Sequence, residues 1–135
     1  MAAKSALPTI TGVVVRGAGR GKELGFPTAN LQLSDATERP LEGIYAAWVT
    51  IGAIAHKYSA AVHVGPAPTF NRTQSIIEVH LLNFPPQDLY GAKLTVTLVQ
   101  KIREVQKFSS ATDLITAIKK DCATALSILG NTTAN

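Results

Sequence analysis

The sequence predicts an all-β fold, a six-stranded antiparallel closed barrel with one C-terminal helix packed against it, on three observations. Six short stretches rich in β-branched and aromatic residues follow one another, joined by hairpin-length or moderate connections. No helical pattern lies between them, which excludes the crossovers a parallel α/β sheet requires. A single apolar stripe at the helical period then closes the pattern, at 110–130. Pattern alone admits a barrel or a sandwich. The barrel is preferred because closure removes the exposed edges that so small a sheet otherwise presents.

The first strand is expected at 9–15, where threonine, isoleucine and valine dominate. Residues 16–25 follow with Gly17, Gly19, Gly21 and Gly25 among Arg16, Arg20 and Lys22, a flexible cationic loop. The extended course resumes over 26–33, since Pro27 disfavours the helical region for Phe26. Residues 34–42 are largely polar, contain Pro40 and read as a loop. Strands are expected at 43–51, with Tyr45, Trp48 and Val49, and at 57–64, ended by the G-P-A-P run at 65–68. In 76–82, Ile77, Val79 and Leu81 point one way while Glu78 and His80 point the other. Pro85 and Pro86 mark a turn within 83–91. The last strand, 93–102, sets Leu94, Val96 and Leu98 on one face and Thr95 and Thr97 on the other. Ser110 and Asp113 make an S-x-x-D capping signal. From there Leu114, Ile115, Ile118, Cys122, Ala125, Leu126 and Leu129 form the helical stripe, with Gly130 as its stop.

Bulk composition bounds the function. The 135 residues suit one domain, 1–135, with loose termini expected at 1–8 and 130–135. Hydrophobic residues at 46% against 16% charged exclude a disordered tail. No apolar run reaches the ~18–20 residues of a membrane span, and the opening residues lack the apolar core of a signal peptide, so a cytoplasmic location is expected. The single cysteine, Cys122, fits a reducing compartment and reads as a buried structural thiol. A net charge of +4 suits an anionic ligand, while aromatic residues at 6% are a poor supply of stacking platforms, so no nucleic-acid partner is expected.

The residues with chemical content lie in three places. In 17–30 the glycines let backbone amides approach an anion, with Arg20 and Lys22 adding positive charge. A mobile hairpin loop would have the same composition. The stretch matches neither a Walker A loop nor a dinucleotide fingerprint. Thr28 and Asn30, two apart on an extended segment, face one side and offer a hydroxyl and an amide oxygen. Such hard neutral oxygens suit magnesium completed by phosphates and water, and they also suit an ordinary turn. Glu78 stands in an apolar strand. On the inner face of a barrel its carboxylate would be costly unless paired or used, as a general base for instance; on a solvated face it is a surface residue. Arg103, after the last strand, could hold an anion, stack on a ring or simply be exposed.

Together these stretches resemble riboflavin kinase, including the kinase module of bacterial bifunctional FAD synthetases. The resemblance rests on G-V-V-V-R-G at 12–17, R-G-K-E-L-G-F-P-T-A-N at 20–30, G-I-Y-A at 43–46, A-V-H-V-G at 61–65, P-T-F at 68–70, E-V-H-L-L at 78–82, D-L-Y-G at 88–91 and K-F at 107–108. It implies phosphoryl transfer from ATP to the 5′-hydroxyl of riboflavin, giving FMN and ADP. It implies that Thr28 and Asn30 coordinate Mg2+ with the nucleotide phosphates. The loop containing Gly17, Arg20, Gly21, Lys22, Gly25 and Pro27 would close over the nucleotide, and Glu78 would take the proton of the attacking hydroxyl across the cavity. Arg103 and the start of the final helix would flank the isoalloxazine ring. An adenylyltransferase module, usual in bacterial relatives, is not seen ahead of the barrel, so FMN without FAD is expected. Ala67, Asn83 and Val105 depart from the family pattern on the flavin side. They motivate the alternative of a non-catalytic flavin- or nucleotide-binding barrel.

Overall fold

The structure, a computed structural model, describes residues 7–15, 28–33, 40–66, 75–82 and 88–130. Six strands and one helix occur among them: β1 (Thr9–Val15), β2 (Ala29–Leu33), β3 (Gly43–Ile51), β4 (Tyr58–Pro66), β5 (Ser75–Leu81), β6 (Lys93–Arg103) and α1 (Ala111–Gly130). The strands close into a barrel in the order β1-β2-β5-β4-β3-β6, every pairing antiparallel. No helix among the described residues is long and apolar enough to cross a membrane.

The interior is filled by one side of each strand's alternation. Ile10 and Val14, Leu31 and Leu33, Tyr45, Ala47 and Val49, Val62 and Val64, Ile77 and Val79, and Leu94, Val96 and Leu98 are all buried in one cluster. The two faces expected for 76–82 and 93–102 are the two faces observed. Leu7 also packs against this cluster, although the sequence places it in a loose N-terminal stretch. A six-stranded barrel is narrower than the eight-stranded kind whose interior only just holds side chains, so a ligand must sit outside it.

The helix covers part of that outside, lying over β3, β4 and β6. Ala46 and Ala61 are cross-strand partners on the outer wall, and such small side chains let α1 approach closely. Ala125 and Leu129 pack there with Leu82, flanked by Trp48, Cys122 and Ile128. The Ser110 hydroxyl accepts the Asp113 N–H at 3.1 Å, the capping bond that the sequence announces. Two positions on the stripe differ from expectation. Leu126 is 40% exposed, and Cys122 is half-buried rather than buried. The reason is that α1 meets the wall along a narrow line, which turns Asp121 inward instead. Burial and the neighbouring Asp121 raise the Cys122 thiol above its usual value, which keeps it protonated and inert.

At 88–91 the D-L-Y-G stretch is a turn. Asp88 Oδ1 accepts the Tyr90 N–H at 2.9 Å, and Gly91 takes φ +85°, a left-handed conformation that favours glycine. The Gly91 N–H then reaches the Val14 carbonyl at 2.9 Å, tying this turn to β1.

Candidate active site

One line of cross-strand partners organises the outer wall. Val15 pairs with Asn30, Asn30 with Glu78, Glu78 with His63, His63 with Ile44, and Ile44 with Arg103. Residues directly opposite one another share a face, with Cβ atoms ~4.5–5.5 Å apart. Asn30, Glu78, His63 and Arg103 therefore stand in a row around the barrel, on the face opposite the core. The row exists because β2 pairs with β5, two strands separated in sequence by a hairpin.

Glu78 sits on the outer wall, and this corrects the expectation of a carboxylate reaching across a cavity. Ile77 and Val79 take the interior positions, and with a period of two their neighbour must point outward. The side chain is nevertheless only 30% exposed, because Asn30 and His63 flank it on the adjoining strands. Thr28 is half-buried just ahead of β2, two positions from Asn30. Asn30 is thus the direct cross-strand neighbour of Glu78, with Thr28 two residues ahead of it along the chain. No group of three or more His, Cys, Asp or Glu side chains able to hold a metal occurs among the described residues. The donor set here suits a magnesium ion that takes most of its ligands from phosphates and water.

His63 lies on the other side of Glu78, its Nδ1 3.8 Å from Glu78 Oε1. That separation is too long for a hydrogen bond. Burial pushes the imidazole below its usual value. Glu78 pulls it up, Arg103 pushes it down, and Asp121 and Glu42 pull it up more weakly. At neutral pH the ring is therefore uncharged, and the contact with Glu78 is not an ion pair. The ring also lies against Gly65, where an added Cβ would stand 2.7 Å from His63 Cε1.

At the far end of the row Arg103 is already engaged. Its Nε and Nη2 donate to the two carboxylate oxygens of Asp121 at 2.9 and 2.7 Å, and its guanidinium lies 5.6 Å from the centroid of the Phe108 ring. Asp121, in mid-helix, is the buried charge that pins α1 to the end of β6. Arg103 thus offers a flat guanidinium–Phe108 corner rather than a free cation. Glu104 turns away to Lys101, at 2.6 Å, and is 79% exposed. A cavity of about 270 Å³, lined by Trp48, His56, Tyr58, Leu126 and Leu129, lies at the C-terminal end of α1 and contains none of the sequence-predicted site residues.

A family model for flavokinase, or riboflavin kinase, matches residues 6–129. The chain belongs to the riboflavin kinase family. It is 37% identical over 116 residues to a bifunctional riboflavin kinase/FMN adenylyltransferase of Haemophilus influenzae, covering 86% of this chain and 37% of that one. It is 36% identical over 114 residues to a human riboflavin kinase, covering 82% and 73%. The chain spans about two fifths of the length of the bifunctional relatives it matches, 37% and 38% for those of Haemophilus influenzae and Escherichia coli. Among solved structures, one described as a macrolide-efflux protein from Streptococcus pneumoniae superposes with a TM-score of 0.80 at 35% identity, covering 93% of this chain and 40% of that one. Riboflavin kinase from Trypanosoma brucei superposes with a TM-score of 0.71 at 24% identity, covering 96% and 83%, and shares the fold.

In this riboflavin kinase family member, Asn30 and Glu78 are direct cross-strand partners, Thr28 lies two residues before Asn30, and Arg103 ends the same row. Gly17, Arg20, Gly21, Lys22, Gly25 and Pro27 lie outside the described residues, as do Ala67 and Asn83. Sequence reasoning missed His63 and Asp121. The V-H-V alternation at 62–64 puts His63 on the outward face, but only the β4–β5 register places it beside Glu78. For Asp121 the helical period held a signal, since it lies three residues beyond Ile118 and four before Ala125, on the apolar side.

Proposed function

We propose that this chain transfers the γ-phosphoryl group of ATP to the 5′-hydroxyl of riboflavin, yielding FMN and ADP. The observation that carries this reading is the direct pairing of Asn30 with Glu78 across β2 and β5, with Thr28 two residues away. Phosphoryl transfer needs the metal-bound phosphate and the acceptor alcohol held side by side, with a base on the alcohol. Adjacent strands supply that spacing. In the proposed roles Thr28 and Asn30 hold Mg2+, which when bound neutralises phosphate charge. Glu78 accepts the hydroxyl proton. The loop residues Gly17, Arg20, Gly21, Lys22, Gly25 and Pro27 cover the nucleotide. The isoalloxazine ring lies toward Arg103 and Phe108, so that riboflavin spans the row from β6 to β5. A cytoplasmic location and a single working domain accompany the proposal.

The test is incubation with MgATP and riboflavin followed by chromatographic separation of the flavins. FMN is the expected product, and Glu78→Gln is expected to lower turnover by ~10²–10⁴, the usual effect of losing a general base. No FMN, under conditions where a known riboflavin kinase works, refutes the activity. Flavin fluorescence quenched without any product would instead favour a binding barrel.

A further inference from the structure

Resting on the kinase reading, we infer that His63 is a positioning residue for the general base: its neutral imidazole walls Glu78 toward Asn30, and its protonated form captures the carboxylate and switches the base off. Three observations carry this. His63 and Glu78 are direct cross-strand partners, as are Glu78 and Asn30, so the carboxylate has the ring on one side and the metal-binding amide on the other. The ring is itself held, lying so close over Gly65 that a methyl group there would meet Cε1 at 2.7 Å. The Nδ1 to Oε1 separation of 3.8 Å lies just beyond hydrogen-bond range, so a small side-chain rotation closes it once the ring carries a proton.

The charges that face the ring come from every element around it: Glu78 on β5, Arg103 on β6, Asp121 on α1 and Glu42 ahead of β3. Arg103 and Asp121 neutralise each other in their bidentate pair, which leaves Glu78 as the nearest acceptor for an imidazolium proton. His63 stands two strands from Asn30, beyond the metal donors, so its protonation acts on the base and not on the ion. Acidification would therefore restrain the base through the proton that His63 takes up.

Two measurements on the whole chain test this. In the first, the imidazole resonances are followed by NMR against pH, with His63 assigned by elimination using His56→Gln and His80→Gln. Glu78→Gln is expected to move the His63 midpoint to lower pH, because the carboxylate that stabilises the imidazolium has gone. In the second, kcat/KM for riboflavin is measured from pH 5 to 9 for the unaltered chain and for His63→Asn. The variant is expected to keep roughly two- to fivefold more of its neutral-pH activity on the acid side, the size of a partly exposed ion pair. A His63 midpoint unmoved by Glu78→Gln, or an acid limb unmoved in a folded His63→Asn protein, overturns this inference alone. Absence of FMN from the unaltered chain overturns the kinase reading and this inference with it.

Discussion

Replacing Asp121 with alanine should detach α1 from the barrel, and the structure sets the size of the effect. Asp121 receives two charge-assisted hydrogen bonds from Arg103, at 2.9 and 2.7 Å, with side-chain exposures of 9% for Asp121 and 24% for Arg103. Removing one partner of a fully buried ion pair costs about 3–5 kcal/mol, because the other charge is left uncompensated. Here the remaining guanidinium keeps the Glu104 carbonyl at 3.0 Å, the face of Phe108 and some access to water, so about 2–3 kcal/mol is expected. With an unfolding entropy of about 2.1 cal/mol/K per residue, a 135-residue chain has about 0.28 kcal/mol/K, and Tm should fall by about 7–11 °C. Differential scanning calorimetry reads this directly. A double-mutant cycle with Arg103→Met should return most of the loss, since an apolar pair replaces the ionic one without stranding either charge. The same variant should raise KM for riboflavin more than it lowers kcat, because the Arg103–Phe108 corner loosens while Glu78 and Asn30 stay in place. A fall in Tm below about 2 °C would show that the pair does not hold the helix, and the reasoning would fail.

Two further outcomes follow from the same geometry. His63 has its folded-state value pushed below the ordinary histidine value of about 6.5, so the unfolded chain binds the proton more readily. Its contribution to stability is therefore present above that value and lost as pH falls through the folded one. Thermal unfolding between pH 8 and pH 5 should show this slope, and His63→Asn should flatten it. Gly12→Ala should destabilise by about 1–3 kcal/mol in urea unfolding, in line with overpacking. An added Cβ would stand 2.7 Å from the Gln32 carbonyl oxygen on the paired strand, and neither backbone can yield without disturbing β1 and β2; an unchanged midpoint would contradict this.

The local alternation of apolar and polar residues was enough to place most of the elements. Thr9–Val15 and Gly43–Ile51 form strands with the expected bounds, the two faces of β5 and β6 fall as the period of two requires, and Ser110 caps α1 as its S-x-x-D pattern states. Of the strand expected at 26–33, residues 26 and 27 lie outside the described residues and Ala29–Leu33 is strand, while β4 and β5 differ from expectation by one or two residues at their ends, where hydrogen-bonded partners rather than propensity decide. The pattern also sets Thr28 and Asn30 two apart on one segment, of which Asn30 lies in β2. What lay across from them was not. A period of two says which residues share a face, and it carries no information on which distant strand lies alongside. Only the order β1-β2-β5-β4-β3-β6 brings Glu78 beside Asn30 and His63 beside Glu78. Burial of the apolar alternation inside the closed barrel leaves that row on the outer wall, and the docking of α1 against the barrel makes partners of Arg103 and Asp121, eighteen residues apart. Such contacts join segments distant in sequence, so they are settled by packing and pairing across the whole molecule, which no single stretch of the chain encodes.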